Sequence, residues 1–259
     1  MNKFYYGLAI IATTLATSFN VSRAQDICIE EVEPCIEEVE PCYEEVYEES
    51  SYLEYFDEAN IQFINFYAGM AILGIVEGND QIAIRARAIA EFIAAGDNET
   101  LSRAYQMSGE MFHEMDEWEK CYVGMNIAME YNSENDNLLN NYAYFLSLQN
   151  KDMDKALDMI ERALEVDPYN PFYLDTYGWV LHVLGRDTEA VEVMKRAEPL
   201  VVEKLGEFYF HYGDILYELG DDRAARKYWR KAGNEGWDED VIDDRFERPT
   251  AKKRKTKNE

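Results

Sequence analysis

Apolar residues between residues 56 and 237 recur at steps of three and four, the spacing of one face of an α-helix. A second regularity is superimposed: a small residue is followed about twelve positions later by another, and seven positions after that by a third. Repetition with this period predicts stacked helix pairs rather than a globular enzyme core. The four sets are Gly109, Cys121 and Ala128; Ala143, Ala156 and Ala163; Gly178, Ala190 and Ala197; and Gly213, Ala225 and Ala232.

Each repeat is predicted to be two helices joined by a tight turn. In the third repeat the first helix is expected over 172–184, and Gly185 suits the left-handed conformation that ends a helix. Asp187 or Thr188 can then cap the second helix. The small residue Gly178 lets the two helices approach closely. One pair alone would leave its apolar face in water, so neighbouring pairs are expected to stack.

Weaker signals flank the four clear repeats. Ala71, Ala83 and Ala90 show the same spacing within 56–101, which predicts a degenerate first helix pair. Arg87 takes the place of a large apolar residue there. After the last repeat, residues 238–248 predict a polar helix that covers the final apolar face, as the terminal elements of solenoids do. The basic residues 249–259 are expected to form a solvated, disordered tail.

This pattern resembles the tetratricopeptide repeat family over residues 102–237. The resemblance implies four units, 102–135, 136–170, 171–204 and 206–237, in an all-α solenoid with a right-handed superhelical twist. It also implies a protein-interaction role, with the first helix of each pair lining the inner surface. The residues that carry the resemblance are Tyr177, Gly178, Leu181, Gly185, Ala190 and Ala197, together with Ala156, Ala163 and the unit ending Leu164-Glu165-Val166-Asp167-Pro168.

A stripe of side chains on each first helix points away from the predicted packing face. Its residues are spaced i, i+4, i+7 and combine aromatic rings with amides and carboxylates, which suits recognition of a peptide. The alternative is that these rings pack against a neighbouring helix or the acidic segment. The predicted partner-binding residues are Gln106, Glu110, His113, Asn140, Tyr144, Phe172, Asp175, Trp179, His182, Phe210, Asp214 and Tyr217.

Charge narrows the class of partner. The net charge of −27 argues against binding nucleic acid or an anionic membrane surface, which carry the same sign. Some tetratricopeptide repeat proteins bind the terminal carboxylate of chaperones, but Glu110, Asp175 and Asp214 would repel that group. The sequence therefore predicts a protein or peptide partner that is neutral or basic.

The amino-terminal region has two parts. Residues 1–24 have the pattern of a secretory signal peptide, with Lys3, an apolar run over 4–16 and a small-x-small cleavage site at 22–24. They predict export to a periplasm or the cell exterior, with no membrane insertion after cleavage. The alternative is an uncleaved anchor.

Residues 25–55 are acidic and contain a seven-residue repeat, Cys-Ile-Glu-Glu-Val-Glu-Pro, that occurs twice and then decays. The prolines oppose a coiled coil and the dense charge predicts a disordered linker. Alternatively the segment binds a cation or basic partner, or forms disulfides through Cys28, Cys35 and Cys42. Cys121 lies in a small-residue position and is predicted to be a buried thiol.

Motifs of enzyme chemistry are missing from the sequence. It contains no phosphate-binding loop, no Gly-x-Ser-x-Gly and no His-Glu-x-x-His, since the run that begins at His113 ends in Glu117. We therefore predict no catalysis, no cofactor and no metal site. The favoured interpretation is an exported protein-interaction scaffold. The alternatives are an assembly component that acts through its acidic, cysteine-bearing arm and a non-catalytic docking subunit of an enzyme complex.

Overall fold

The computed structural model describes the backbone of residues 49–203 and 205–249, and side chains within these ranges from residue 60 onward. The predicted signal peptide, the cysteine-bearing repeats and the basic tail beyond residue 249 lie outside the described residues. Within the described ranges there are eleven helices and no strand, which confirms the all-α prediction. None of these helices is long and apolar enough to cross a bilayer.

The helices associate in consecutive pairs, α1 with α2 through α9 with α10, and each pair packs on the next to form the predicted solenoid. The helix α11 follows the last pair and packs against α10. The bounds are α1 Glu49–Val76, α2 Asp80–Ile93, α3 Asn98–Glu114, α4 Trp118–Tyr131, α5 Asp136–Leu148, α6 Met153–Val166, α7 Pro171–Val183, α8 Asp187–Ala197, α9 Leu205–Glu218, α10 Asp222–Asn234 and α11 Glu239–Glu247.

Local sequence explains where these helices begin and end. The Asn170 side chain accepts hydrogen bonds from the backbone N–H groups of Phe172 and Tyr173, and Pro171 occupies the first turn, where its missing N–H costs nothing. At the other end of α7, Gly185 has φ +74° and ends the helix as predicted. In the turn between α5 and α6, Asn150 takes the corresponding left-handed conformation.

The small residues of the four repeats are all buried between the helices of a pair, as the spacing predicts. A Cβ on Gly178 would lie 2.5 Å from Met194 Sδ, and one on Gly213 would overlap the Trp229 indole, so a larger residue at either position would force that side chain to move. Cys121 is buried with a free thiol, and burial raises the pKa of that thiol to about 12.

The first pair departs from the regular repeat. The helix α1 begins at Glu49, inside the segment expected to be disordered, and this extension continues the three- and four-residue spacing of apolar residues in the sequence. The helix α1 as a whole contacts both α3 and α4, and the side chain of Ile72 reaches the backbone of Gly124. Arg87 forms ion pairs with Glu91 and Glu130, which ties α2 to the end of α4.

Candidate interaction face on the first helices

The predicted residues of α3 face the next first helix, α5, rather than open solvent. Gln106 Nε2 donates to Asn137 Oδ1 at 2.7 Å and to Glu110 Oε1 at 2.8 Å. Asn141 Nδ2 donates to the same Glu110 oxygen at 2.7 Å. Gln106 is buried by these contacts, while Glu110 keeps part of its surface in solvent. The stripe on α3 therefore forms a ladder of polar contacts between α3 and α5.

His113 extends this ladder with ring contacts. Its imidazole stacks on Phe145 of α5 at a centroid distance of 4.2 Å, and the Trp118 ring meets it edge-on at 4.9 Å. Burial lowers the pKa of His113, because the charged imidazolium would lose hydration there. His113 is thus a half-buried, neutral ring at the end of the face.

On α5, Tyr144 reaches past α7 to α9. Its hydroxyl donates to Glu207 Oε1 at 2.6 Å, and its ring lies 5.9 Å from the ring of His211. Burial, together with the Glu207 charge, raises the pKa of Tyr144, so the phenol stays protonated. Asn140 is buried: its Nδ2 donates to Asn141 Oδ1 at 2.9 Å, and its Oδ1 has no hydrogen-bond partner among the described residues.

A buried histidine that sequence reasoning missed joins α7 to α9. His211 is only 2% exposed, its Nδ1 lies 3.1 Å from the nearer carboxylate oxygen of Asp175, and its ring stacks on Trp179 at 4.3 Å. Burial alone would lower the pKa of His211, but the carboxylates of Asp175, Glu207 and Asp214 outweigh it and raise the pKa.

A sequence signal for His211 exists. Glu207 and His211 are four residues apart, as are Asn137 and Asn141, so α9 and α5 each carry a second polar stripe one turn away from the predicted one. In the structure these second stripes receive contacts from earlier first helices: α3 contacts the stripe on α5, and α5 and α7 contact the stripe on α9. When a predicted stripe faces a neighbouring first helix, its polar side chains need polar partners on that helix, and the second stripe supplies them.

The remaining predicted residues of α7 differ in their surroundings. His182 Nδ1 lies 2.6 Å from Asp187 Oδ1 at the start of α8, and its ring lies 5.0 Å from Trp179. His182 is therefore directed to its own pair partner. Phe172, in the first turn of α7, is 38% exposed.

The three predicted residues of α9 are buried, so their assignment to partner contact is corrected. Residues after α10 cover them: Phe210 stacks on Trp237 at 5.2 Å, and the Tyr217 hydroxyl donates to the carbonyl of Pro249 at 2.8 Å. Asp214 is likewise buried. For Phe210 and Tyr217, the rings pack against a neighbouring part of the chain, which is the alternative to partner binding given above for these aromatic residues.

Asp214 is the centre of this covered region. Its carboxylate accepts a hydrogen bond from Trp229 Nε1 at 2.9 Å and pairs with Arg245 Nε at 2.9 and 3.0 Å. The Arg245 guanidinium also lies over the Phe210 ring, 4.9 Å from its centroid. The helix α11 thus occupies the side of α9 on which a further first helix would stack.

The accessible part of the predicted stripe is confined to three helices, α3, α5 and α7. Two acids, two imidazoles and three large aromatic rings keep part of their surface in solvent there. Among the described residues, no three His, Cys, Asp or Glu side chains are grouped so that they could hold a metal ion. The accessible residues are Glu110, His113, Tyr144, Phe172, Asp175, Trp179 and His182.

Solved structures with a similar fold have low sequence identity to this chain. A structure from a functional characterization of Pseudomonas aeruginosa pilF is 18% identical, covers 71% of this chain and 81% of its own, and has a TM-score of 0.49. A tetratricopeptide repeat protein from Parabacteroides merdae is 14% identical, with coverages of 76% and 78% and a TM-score of 0.49. YrrB, described as a TPR protein with an unusual peptide-binding site, is 17% identical, with coverages of 74% and 94% and a TM-score of 0.47.

Sequence comparison identifies two repeats of a known family within the chain. A search of curated proteins finds no match. The sequence model of the tetratricopeptide repeat family matches residues 136–170 and 206–232, which correspond to the pairs α5–α6 and α9–α10. These two pairs have the small-residue spacing and the stacked geometry described above. These two helix pairs of the chain are therefore tetratricopeptide repeats.

Proposed function

We propose that this chain is a scaffold that binds a protein or peptide partner along the first helices α3, α5 and α7. The observation that carries the proposal is a set of aromatic side chains on these helices, Tyr144, Phe172 and Trp179, that keep exposed surface. Tyr144 and Trp179 are fixed by contacts to Glu207 and His211. Aromatic rings that are already immobilised lose little conformational entropy on binding, which favours affinity.

Charge supports a neutral or basic partner. Glu110 and Asp175 lie on this face, and Glu207 is beside it. Hydrogen bonds from Gln106 and Asn141 hold the Glu110 carboxylate in place. A positively charged partner would gain from these carboxylates, whereas an acidic tail would be repelled. The tetratricopeptide repeat fold is typically a non-catalytic scaffold, and we propose no reaction for the chain.

Export remains part of the proposal and is supported by the sequence of residues 1–24. We propose a periplasmic or extracellular location. Sequencing the amino terminus of the protein recovered outside the cytoplasm should give a start near Gln25; recovery of uncleaved Met1 in the cytoplasm would contradict export. The disulfide alternative at Cys28, Cys35 and Cys42 is checked by non-reducing electrophoresis, because a monomer band unaffected by reductant removes it.

The partner face is tested by affinity capture with the full chain and a matched pair of variants. Phe172→Ala removes an exposed ring from the proposed face, and Tyr169→Ala removes a 72% exposed ring from the turn before α7, which is outside the first helices. A ring at the centre of an interface contributes about 2 kcal/mol, so the first variant should lose about tenfold or more in affinity for the captured protein. Equal capture by both variants, with unchanged helical circular dichroism, would contradict the proposal.

A further inference from the structure

The first helix pair leaves apolar side chains in solvent. The buried residues of α2 are Ala83, Ala86 and Ala90, whereas α4, α6, α8 and α10 each bury a large residue in the equivalent seam. The bulky apolar residues of α2 point outward instead. Those at least one-third exposed are Ile82, Ile84, Ile89 and Phe92. Exposed clusters of this kind mark interaction sites more often than isolated exposed residues do.

Part of this apolar surface is concave. A groove with a volume of about 220 Å³ runs between α1 and α2. On α1, its residues lie on the side of the helix opposite Ile72, which packs against α4. The groove therefore faces away from the rest of the stack. Its main lining residues are Phe66, Tyr67, Met70, Ile82, Arg85 and Ile89.

Arg85 gives the groove a chemical preference. It makes no ion pair or side-chain hydrogen bond with any residue that the structure describes, whereas Arg87, on the same helix, is paired with Glu91 and Glu130. An unpaired guanidinium at the edge of an apolar groove favours a ligand that supplies a carboxylate. The net charge of the chain opposes such a ligand only weakly, because charges beyond about 10 Å are screened by salt.

We propose that the α1–α2 groove binds an amphipathic helix of a partner protein, which places aliphatic side chains in the groove and one carboxylate against Arg85. A groove between two antiparallel helices accepts the ridge of a third helix. Ile82, Arg85 and Ile89 follow one another at three- and four-residue steps, so they offer contacts over about two helical turns. This site is separate from the partner face on α3, α5 and α7.

A second copy of this chain fits the groove less well. A two-fold contact through the same groove would bring Arg85 of both copies together, and like charges repel at that distance. A head-to-tail contact would instead offer the outward side of α11. That side is acidic, with Asp240, Asp243 and Asp244 exposed. Of the apolar residues of α11, Ile242 is buried, and Val241 and Phe246 are partly buried against the last pair. The helix would therefore supply mainly charge and little apolar contact.

The test uses fluorescence anisotropy with the full chain and two labelled helical peptides. Both have leucines at three- and four-residue steps; one has a glutamate beside the central leucine and the other a glutamine. The glutamate peptide should bind about fivefold more tightly than the glutamine peptide, as for a partly exposed ion pair. Arg85→Gln should remove that difference, and Ile89→Asp should abolish binding of both peptides.

Two controls make the result specific. Ile84→Asp changes a 65% exposed residue of α2 that does not line the groove and should bind as the wild type does. Phe172→Ala should also bind normally, which separates this site from the proposed partner face. Absence of saturable binding would overturn the proposal, as would a glutamate preference that survives Arg85→Gln. Self-association of the wild type that Ile89→Asp removes, seen by analytical ultracentrifugation, would overturn it in favour of a second copy.

Discussion

The two ends of the helix stack treat their apolar surface in opposite ways. At the carboxyl end, α11 covers α9 and α10, and the seam holds a fully buried Trp229 and a paired Asp214. At the amino end, α2 buries alanines and leaves residues such as Phe92 in solvent. Terminal repeats of solenoids are normally closed by a polar outer face. Among the residues that the structure describes, the carboxyl end follows this rule and the amino end does not.

This difference separates two roles of the repeat sequence. Both end pairs keep the buried small residues that allow close helix approach, among them Ala83 and Ala90 at one end and Ala225 and Ala232 at the other. Only the last pair fills its seam with a large side chain, Trp229. Small residues therefore set the distance between helices, while large residues determine how much apolar surface a pair removes from water.

The largest expected effect of a single change is at the closed end. Trp229→Ala removes a fully buried indole and its hydrogen bond to Asp214. The free energy of unfolding should fall by about 3–5 kcal/mol, as for other large-to-small changes in a core. Chemical denaturation of the purified protein measures this value. A loss below about 1 kcal/mol would mean that the last pair is not a tightly packed core.

The contact of α11 with α9 should contribute less. Arg245→Met keeps much of the side-chain volume but leaves the buried Asp214 carboxylate without its cationic partner. We expect a loss of about 2–3 kcal/mol in the free energy of unfolding. Adding Asp214→Asn should recover part of that loss, because no buried charge is then left unpaired. A double variant less stable than Arg245→Met alone would contradict this assignment.

The effect of histidine titration on stability should arise in α3 and the helices after it, because the three histidines of the sequence all lie there. The folded-state pKa of His211 is raised by Asp175 and neighbouring carboxylates. Its contribution to stability is therefore complete below the unfolded pKa of about 6.5 and is lost as the pH rises through the folded value.

The contribution of His113 to stability depends on pH in the opposite direction. Because burial lowers its pKa, that contribution is lost as the pH falls below about 6.5. The two effects are separated by comparing wild type with His211→Gln. The stability advantage of wild type over that variant should shrink as the pH rises above about 6.5. Denaturation series across this range measure it, and an advantage that grows with pH would reverse the sign of our argument.

The smallest effect is expected at the open end. Phe92 is 85% exposed, so Phe92→Ser should change the free energy of unfolding by no more than about 0.5 kcal/mol. The same substitution in the second helix pair, Phe112→Ser, acts on a fully buried ring and should lower the free energy of unfolding several times more. Thermal unfolding of both variants compares them directly. A marked loss with Phe92→Ser would show that the open end is covered in solution.

The sequence was sufficient for the features set by local spacing. The buried small residues and the turn at Gly185 are where the repeat spacing predicts them. The candidate site was predicted less well. Gln106 lies off the packing face of its own pair, as expected, yet α5 buries it. Asp214 is buried between Trp229 of its own pair and Arg245 of α11.

The reason for that difference is geometric. Helical periodicity tells which side of a helix faces its own partner, but the position of the next pair depends on the twist between pairs, which sequence spacing does not fix. Contacts such as Tyr144 with Glu207 and Asp175 with His211 join residues 36 or more positions apart. They become visible only when the stack is assembled.

The most direct measurement is native-state hydrogen exchange of the full chain, read by mass spectrometry. The helices α2 and α10 are of nearly equal length, 14 and 13 residues, so their amide protection can be compared without correction for size. Few buried contacts should allow α2 to open locally, whereas α10 should open only with the core of the stack. We predict faster exchange throughout α2 than in α10. Equal protection, or slower exchange in α2, would contradict the account of one open and one closed end.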